Sequence, residues 1–325
     1  MEARREFALH RRSPDEVWHA ANPRLGRTHP ILRTRTDGGT TDRLGRSCSR
    51  RSEGGPGVQV STRPGSDLRA AFDRDGYVIV PRALEREHVE RLIEAVDRAY
   101  LRHAAPDDPL HLLAFAGEDP AFIELLDHPT TFPLVVDLLG ANIFMYHGHL
   151  DVHPPVRHTS PQVWGWHQDG GVQNTDLETD PRPRMSVKIA YFLSDCSEPG
   201  RGNTRIIPGS HLRNTLPRPA PRQPLAEPQE AIEVLAAPGD AMVFDRRLWH
   251  SKSPNRSSFT RRMLFYAYTY RWIRPRDELR VAPEALGAIT PSRAQLLGAG
   301  RSAAGQWLLG DEHLPLRASL GEHGS

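Results

Sequence analysis

The spacing of apolar residues divides the chain into three stretches. From residue 1 to residue 66 no helical or strand period is sustained, and Arg, Ser and Gly are frequent. Such a segment cannot bury enough apolar area to offset its ordering entropy, so we predict a disordered N-terminal tail over 1–66. Residues 67–276 carry regular patterns and form the predicted jelly-roll domain. Residues 277–325 mix helical apolar spacing with Gly and Ala, which predicts a C-terminal helical extension packed on the barrel.

Helical spacing dominates the first part of the ordered domain. A short helix opens at Asp67 and leads into a β-branched strand that Pro81 ends. Apolar residues then recur at i, i+3, i+4 and i+7, which predicts a long amphipathic helix from Glu85 to His103. Two shorter helices follow, over Pro120–Leu126 and Thr131–Leu139.

From Asn142 onward the pattern changes from helices to strands. Turn signals rich in Pro and Gly separate the runs and favour an antiparallel arrangement. About seven strands with flanking helices predict a mainly β fold, a jelly roll supported on one face. The predicted strands are Phe144–Val152, Val163–Gln168, Met185–Leu193, Thr204–Ile207, Ala231–Leu235, Ala241–Phe244 and Arg262–Trp272.

Composition narrows the classes of function. No run approaches the roughly 20 apolar residues of a bilayer span, and no secretory signal is visible, so we expect no membrane association. Two cysteines, Cys48 and Cys196, do not make a disulfide framework, and this favours a cytoplasmic location. The net charge of +2 argues against nucleic acid as a partner. We expect a small-molecule substrate and a monomer or weak homo-oligomer.

Two His-x-Asp triplets are candidates for metal binding. In each, an imidazole and a carboxylate share one face of an extended strand, as a facial metal triad requires of two of its ligands. His167 and Asp169 precede two glycines and follow a Trp-rich segment, which indicates the mouth of a barrel. His149 and Asp151 lie inside a strand, where burial or an outer-shell role is expected. About one such triplet arises by chance in a chain with 16 His, so the pattern alone is weak.

A third ligand and a charged partner come from later in the chain. His250 follows a strand and is a candidate third metal ligand, although a surface or capping histidine is an equal alternative. Arg261 enters a long apolar strand, where its planar fork suits a dicarboxylate ligand. An ordinary ion pair to an Asp or Glu of the barrel is the alternative for Arg261.

Taken together and in order, several motifs resemble the phytanoyl-CoA dioxygenase family. The resemblance extends from Asp67 to Trp272. It implies a double-stranded β-helix that uses Fe(II), 2-oxoglutarate and O2, with ascorbate as a candidate reductant. By position, it implies His167, Asp169 and His250 as the catalytic iron ligands and Arg261 as the partner of the distal carboxylate of 2-oxoglutarate. The motifs are Phe72-Asp-Arg-Asp-Gly-Tyr, Trp166-His-Gln-Asp169, Pro208-Gly-Ser-His211, Pro238-Gly-Asp240, and His250 with Ser253-Pro-Asn-Arg-Ser and Arg261.

The chain departs from the family pattern at two positions. Lys252 stands where many relatives have a small hydroxyl residue, which leaves a secondary contact to the cosubstrate open. His153 stands where a Lys is common, which leaves a contact in the pocket open. Asp169 is retained, unlike in the related halogenases. Aromatic residues are candidates either for a substrate pocket or for the core: Tyr146, Trp164, Trp166, Tyr266 and Tyr268.

The leading hypothesis is an Fe(II)/2-oxoglutarate-dependent dioxygenase that hydroxylates a small organic molecule and releases succinate and CO2. The same site serves desaturation, epimerisation or cyclisation if the substrate is placed differently. From another class come a zinc hydrolase with the same triad and a metal-binding jelly roll with a vestigial site. Arg261 separates these classes, since a hydrolase has no need of a buried dicarboxylate partner.

Overall fold

The computed structural model describes residues 65–156, 164–220, 226–281, 289–299 and 314–321. The predicted tail over 1–66 lies outside the described residues except for its last two positions. The described helices are α1 (Gly65–Asp75), α2 (Arg86–His103), α3 (Pro120–Ile123), α4 (Phe132–Leu139), α5 (Gln173–Asp176), α6 (Pro291–Leu296) and α7 (Pro315–Ser319). The described strands are β1 (Tyr77–Val80), β2 (Leu110–Leu113), β3 (Ile143–His153), β4 (Ser186–Phe192), β5 (Thr204–Ile206), β6 (Ile232–Glu233), β7 (Ala241–Asp245), β8 (His250–Lys252) and β9 (Arg261–Tyr270).

These strands form two antiparallel sheets. The larger has the order β1-β7-β4-β9-β3-β2 and the smaller the order β6-β5-β8. One apolar cluster contains residues of both sheets, among them Ile206 of β5 and Met242 and Phe244 of β7, so the sheets pack against each other. Two packed antiparallel sheets with non-consecutive neighbours make the double-stranded β-helix, or jelly roll, that the sequence predicts.

The other face of the larger sheet packs against helices. Strand alternation places Val187, Ile189 and Tyr191 of β4 on this face, in one cluster with Leu92 and Val96 of α2. The longest predicted helix, Glu85–His103, therefore occurs as α2, and its apolar stripe is buried as its spacing predicts.

Two of the aromatic residues that the sequence left open between pocket and core belong to this helical face, so they are core residues. Tyr266 and Tyr268 of β9 are fully buried there, and their hydroxyls donate hydrogen bonds to the backbone oxygens of Phe122 and Leu126 at 2.8 and 2.7 Å. Both phenols are satisfied by the helical layer.

The inner face of the larger sheet is unusually polar around β3. His147, His149, Asp151 and His153 alternate along this strand and so share one face. The register places His149 opposite Phe265 of β9 on that face. Polar chemistry inside a barrel favours a functional cavity over a packed core.

Several predicted boundaries differ from those observed. The predicted strand Val163–Gln168 is reduced, within its described residues, to a single bridge between His167 and His250. The predicted strand Ala231–Leu235 shortens to Ile232–Glu233. The patterns missed β2 and β8, which contain no β-branched residue, whereas β1 and β5 are as short but contain Val, Ile or Thr and were recognised.

The described part of the C-terminal stretch packs on the helical side. Leu296 of α6 and Leu316 of α7 are buried in the same cluster as α2 and the larger sheet. Gln295, 1% exposed, donates to the backbone oxygens of Ala141 and Ile143, and its side-chain oxygen accepts from the Leu316 N–H. These bonds tie both helices to the start of β3.

Candidate active site

His167 and His250 come together through a backbone bridge. Each N–H donates to the carbonyl oxygen of the other at 3.0 Å, and the ring centroids lie 4.3 Å apart. His250 is the first residue of β8, which pairs with β5, so the smaller sheet fixes the position of both rings. Asp169 is fixed by the same segment, because its N–H donates to the carbonyl oxygen of Arg246 at 2.9 Å.

The two imidazoles are held in the form that a metal requires. The Nδ1 of His167 lies 2.8 Å from the Gly165 oxygen, and the Nδ1 of His250 lies 2.8 Å from the Leu248 oxygen. A carbonyl oxygen only accepts, so both Nδ1 atoms carry the proton and both Nε2 atoms keep a free lone pair. Burial, and then the neighbouring His167, lower the pKa of His250 to about 3, so this ring is neutral at ordinary pH.

Asp169 supplies a buried carboxylate beside these rings. Burial acts to raise its pKa, but Lys188, followed by His250 and His167, holds the pKa of this carboxyl well below its usual value. The Lys188 Nζ lies 2.6 Å from Oδ2 of Asp169, and the same Oδ2 lies 4.0 Å from Nε2 of His250. Asp169 is therefore an anion that faces both the ammonium and the imidazole.

The three side chains have the geometry of a metal site. One ligand atom from each of His167, Asp169 and His250 lies within 4.8 Å of the others. Two imidazole nitrogens and one carboxylate oxygen form the donor set that non-haem Fe(II) oxygenases use, with coordination positions left open. The donors present thus fit an Fe(II) ion.

Arg261 is buried where a dicarboxylate ligand would satisfy it. It is 2% exposed, and within the described part of the chain its Nε and Nη1 have no hydrogen-bond partner. The ion-pair alternative is realised only loosely, since Oδ2 of Asp151 lies 3.8 Å from Nη1. A buried guanidinium with unused donors is costly, and a carboxylate of a bound ligand would remove that cost.

The second His-x-Asp pair also forms a cluster. His149 and Asp151 gather with His111 of β2, again with ligand atoms within 4.8 Å. However, Asp151 is occupied by protein partners: Nδ1 of His111 is 2.6 Å from Oδ1, and Nε2 of His153 is 3.5 Å from Oδ2. With Arg261 as a further neighbour, this carboxylate serves a hydrogen-bonded network.

His149 extends that network in the other direction. Its Nδ1 lies 3.3 Å from Nε2 of His147, whose Nδ1 lies 2.8 Å from the carboxylate of Asp277. The His149 ring stacks on Phe265 with centroids 4.2 Å apart. This second cluster links β2, β3 and β9, and His149 and Asp151 are both buried in it.

Sequence reasoning missed two residues of this region, Lys188 and His111. Lys188 is a charged residue inside the apolar run Met185–Leu193, at a position whose alternation points inward. That interruption was a usable signal. His111 gave no signal, because β2 itself was not recognised.

Comparison with known proteins identifies the family. Residues 72–263 match the family described as Phytanoyl-CoA dioxygenase (PhyH). The chain belongs to the phytanoyl-CoA dioxygenase family. It is accordingly a 2-oxoglutarate-dependent, non-haem iron oxygenase, and the predictions of family, fold class and enzyme class are confirmed.

Two curated proteins that this chain resembles are dioxygenases. The dioxygenase andF of Emericella variicolor is 25% identical over 216 residues, covering 61% of this chain and 72% of its own. The ectoine dioxygenase of Nocardia farcinica is 25% identical over 280 residues, covering 73% of this chain and 90% of its own. Among solved structures, the α-ketoglutarate-dependent epimerase SnoN is 23% identical, with a TM-score of 0.48, and the match covers 63% of this chain and 83% of SnoN.

Within the described ranges, no helix combines the length and apolarity needed to cross a membrane.

Proposed function

We propose that this family member binds Fe(II) through His167, Asp169 and His250 and hydroxylates a small organic molecule. The observation that carries the proposal is the pair of Nδ1–carbonyl hydrogen bonds, which leave both Nε2 lone pairs available beside the Asp169 carboxylate. Outer-shell partners of this kind orient metal-ligating histidines in proteins generally.

Arg261 is the proposed partner of the distal carboxylate of 2-oxoglutarate. Its unused donors within a site that excludes water support a charge-assisted bond to a dianion. Arg261 also lies on the same face of β9 as Phe265. The Phe265 ring lies beside Lys188, which in turn contacts Asp169. The cosubstrate would therefore lie between the guanidinium and the ligand triad.

The balanced reaction converts 2-oxoglutarate, O2 and a C–H bond into succinate, CO2 and an alcohol. When bound, iron and the 2-oxo acid supply the oxidising chemistry, and ascorbate would keep the metal as Fe(II). The protein's own residues hold the ligands, orient the cosubstrate and exclude water. Tyr146, Phe244 and Phe265 of the inner face are the proposed apolar walls beside the substrate.

Partners and location extend the same proposal. The substrate is a small molecule, the protein is a cytoplasmic monomer or weak homo-oligomer, and neither nucleic acid nor membrane takes part. These statements rest on the sequence, whose near-neutral charge and lack of long apolar runs favour them.

The proposal is tested by succinate formation in the absence of any added organic substrate. Purified protein with Fe(II), 2-oxoglutarate and O2 should release succinate slowly, and chelation of the metal should stop the release. A protein that binds metal yet forms no succinate would contradict the oxygenase proposal. Metal-dependent ester cleavage in its place would support the hydrolase alternative.

A further inference from the structure

Lys188 is an unusual residue in this chain and in this position. The sequence contains only two lysines, Lys188 and Lys252, against a large number of arginines. Lys188 lies in the middle of β4 and is 3% exposed. Its Nζ lies 5.7 Å from the ring centre of Phe244 and 5.9 Å from that of Phe265, so two aromatic faces enclose the ammonium.

The ammonium is directed at the carboxylate of the proposed metal site. It lies 2.6 Å from Oδ2 of Asp169, the oxygen that also lies 4.0 Å from Nε2 of His250. A bound metal ion and the Lys188 ammonium would therefore both lie close to the same buried carboxylate. Charges separated by a few ångströms in such surroundings interact strongly.

The charge of the site follows from these contacts. An imidazole that binds a metal is neutral, so His167 and His250 add no charge to the loaded site, whereas Asp169 adds one negative charge that the nearby ammonium of Lys188 offsets. The three ligands and the ammonium together have zero net charge, so the site attracts a metal dication less than the three ligands alone would. For the same reason, a dianion such as 2-oxoglutarate meets a site that is one charge unit more positive than the three ligands alone would make it. The first effect lowers metal affinity and the second raises cosubstrate affinity.

We propose that Lys188 is a positioning residue that sets the charge of the metal site, weakening metal binding and strengthening the binding of 2-oxoglutarate to the metal-loaded protein. The cosubstrate half of this statement rests on the proposed function, and the metal half stands without it. A purely structural lysine would support both affinities, so its loss would weaken both. The proposal instead requires changes of opposite sign.

The test compares Lys188→Met with the wild type in two calorimetric titrations. Mn(II) should bind the variant at least about tenfold more tightly, and 2-oxoglutarate should bind the Mn(II)-loaded variant at least about tenfold more weakly. Lys252→Met is the matched control for the metal titration, because Lys252 is exposed and its Nζ lies 2.9 Å from Nε2 of His153, which is not one of the three proposed ligands. Its Mn(II) affinity should stay within about twofold of the wild type. Weaker Mn(II) binding by Lys188→Met would overturn the proposal.

A second measurement needs no folded variant at position 188. With only two lysines, selective 15N-lysine labelling gives two side-chain ammonium signals, which Lys252→Met assigns. Saturation of the wild type with Zn(II) should shift the Lys188 signal and leave the Lys252 signal in place. A Lys188 signal unmoved by bound Zn(II) would overturn the proposal. If Lys188 responds to the metal but the wild type binds no 2-oxoglutarate, the proposed function fails and the metal half stands.

Discussion

At the scale of single residues, the two His-x-Asp pairs differ in the partner of the histidine Nδ1 atom. His167 and His250 donate to the backbone carbonyls of Gly165 and Leu248, each two residues before the ring that donates. His149 instead relays to His147 and Asp277, and Asp151 is held by His111. The first arrangement leaves lone pairs for a ligand, while the second satisfies its polar atoms within the protein.

Arg261→Met should raise the concentration of 2-oxoglutarate required for succinate release by at least about tenfold, because a charge-assisted bond in a dry site is lost. Metal affinity should change little, since Arg261 contacts no proposed ligand. Arg262→Met is the matched control: its side chain pairs with Asp97 at 2.7 Å, on the helical side. An unchanged requirement in Arg261→Met would remove this residue from the cosubstrate site.

The sequence motifs identified the candidate residues of the site, and the structure shows which of them lie in contact. His167, Asp169, His250 and Arg261 were all named from order and spacing. The contact between Asp169 and Lys188 was not, because it joins residues on different strands whose pairing no local pattern records. The choice between pocket and core for Tyr266 stayed open for the same reason, since an aromatic run does not reveal which face of a strand meets the helices.

At the scale of elements, the long helices and strands were predicted well from their periodicity. Helix α2 and strands β3, β4 and β9 each span at least seven residues, and all were predicted within a few residues of their ends. Strands β2 and β8 are short, and they are recognised only from their pairing with β3 and β5 in the folded sheets. The residues that complete both His clusters, His111 and His250, lie on these short strands.

Gln295→Ala should lower the free energy of unfolding by about 1–3 kcal/mol, because three backbone groups would lose a buried partner. Urea denaturation measures this change. Mn(II) affinity should stay at the wild-type value, since α6 packs on the helical face, opposite the inner face that carries Lys188. An unaltered urea midpoint would show that α6 and α7 contribute little to the domain.

At the scale of the whole molecule, buried histidines make the metal-free fold sensitive to acid. Burial lowers the pKa of seven described histidines, which are His88, His128, His147, His149, His153, His211 and His250. Below the ordinary pKa of about 6.5 the unfolded chain takes up protons that the folded chain does not. Stability therefore falls as pH decreases, by up to about 1.4 kcal/mol per pH unit for each such histidine.

The expected result is a urea midpoint that is clearly lower at pH 5.5 than at pH 7.5. Aspartates with lowered pKa values, such as Asp151 and Asp169, add to the loss only near and below their own ordinary pKa. The window between pH 7.5 and 5.5 thus isolates the histidines. Equal midpoints at the two pH values would contradict this account of their burial.

The proposed binding of the metal by His167, Asp169 and His250 is tested by the rise in melting temperature that Mn(II) produces. Only the native state has the assembled site, so bound metal stabilises it by mass action. We expect Asp169→Ala to lose most of this rise and Asp151→Ala to keep it, whatever the starting stability of each variant. An Asp151→Ala protein that no longer responds to Mn(II), beside an Asp169→Ala protein that does, would contradict the assignment of these three ligands.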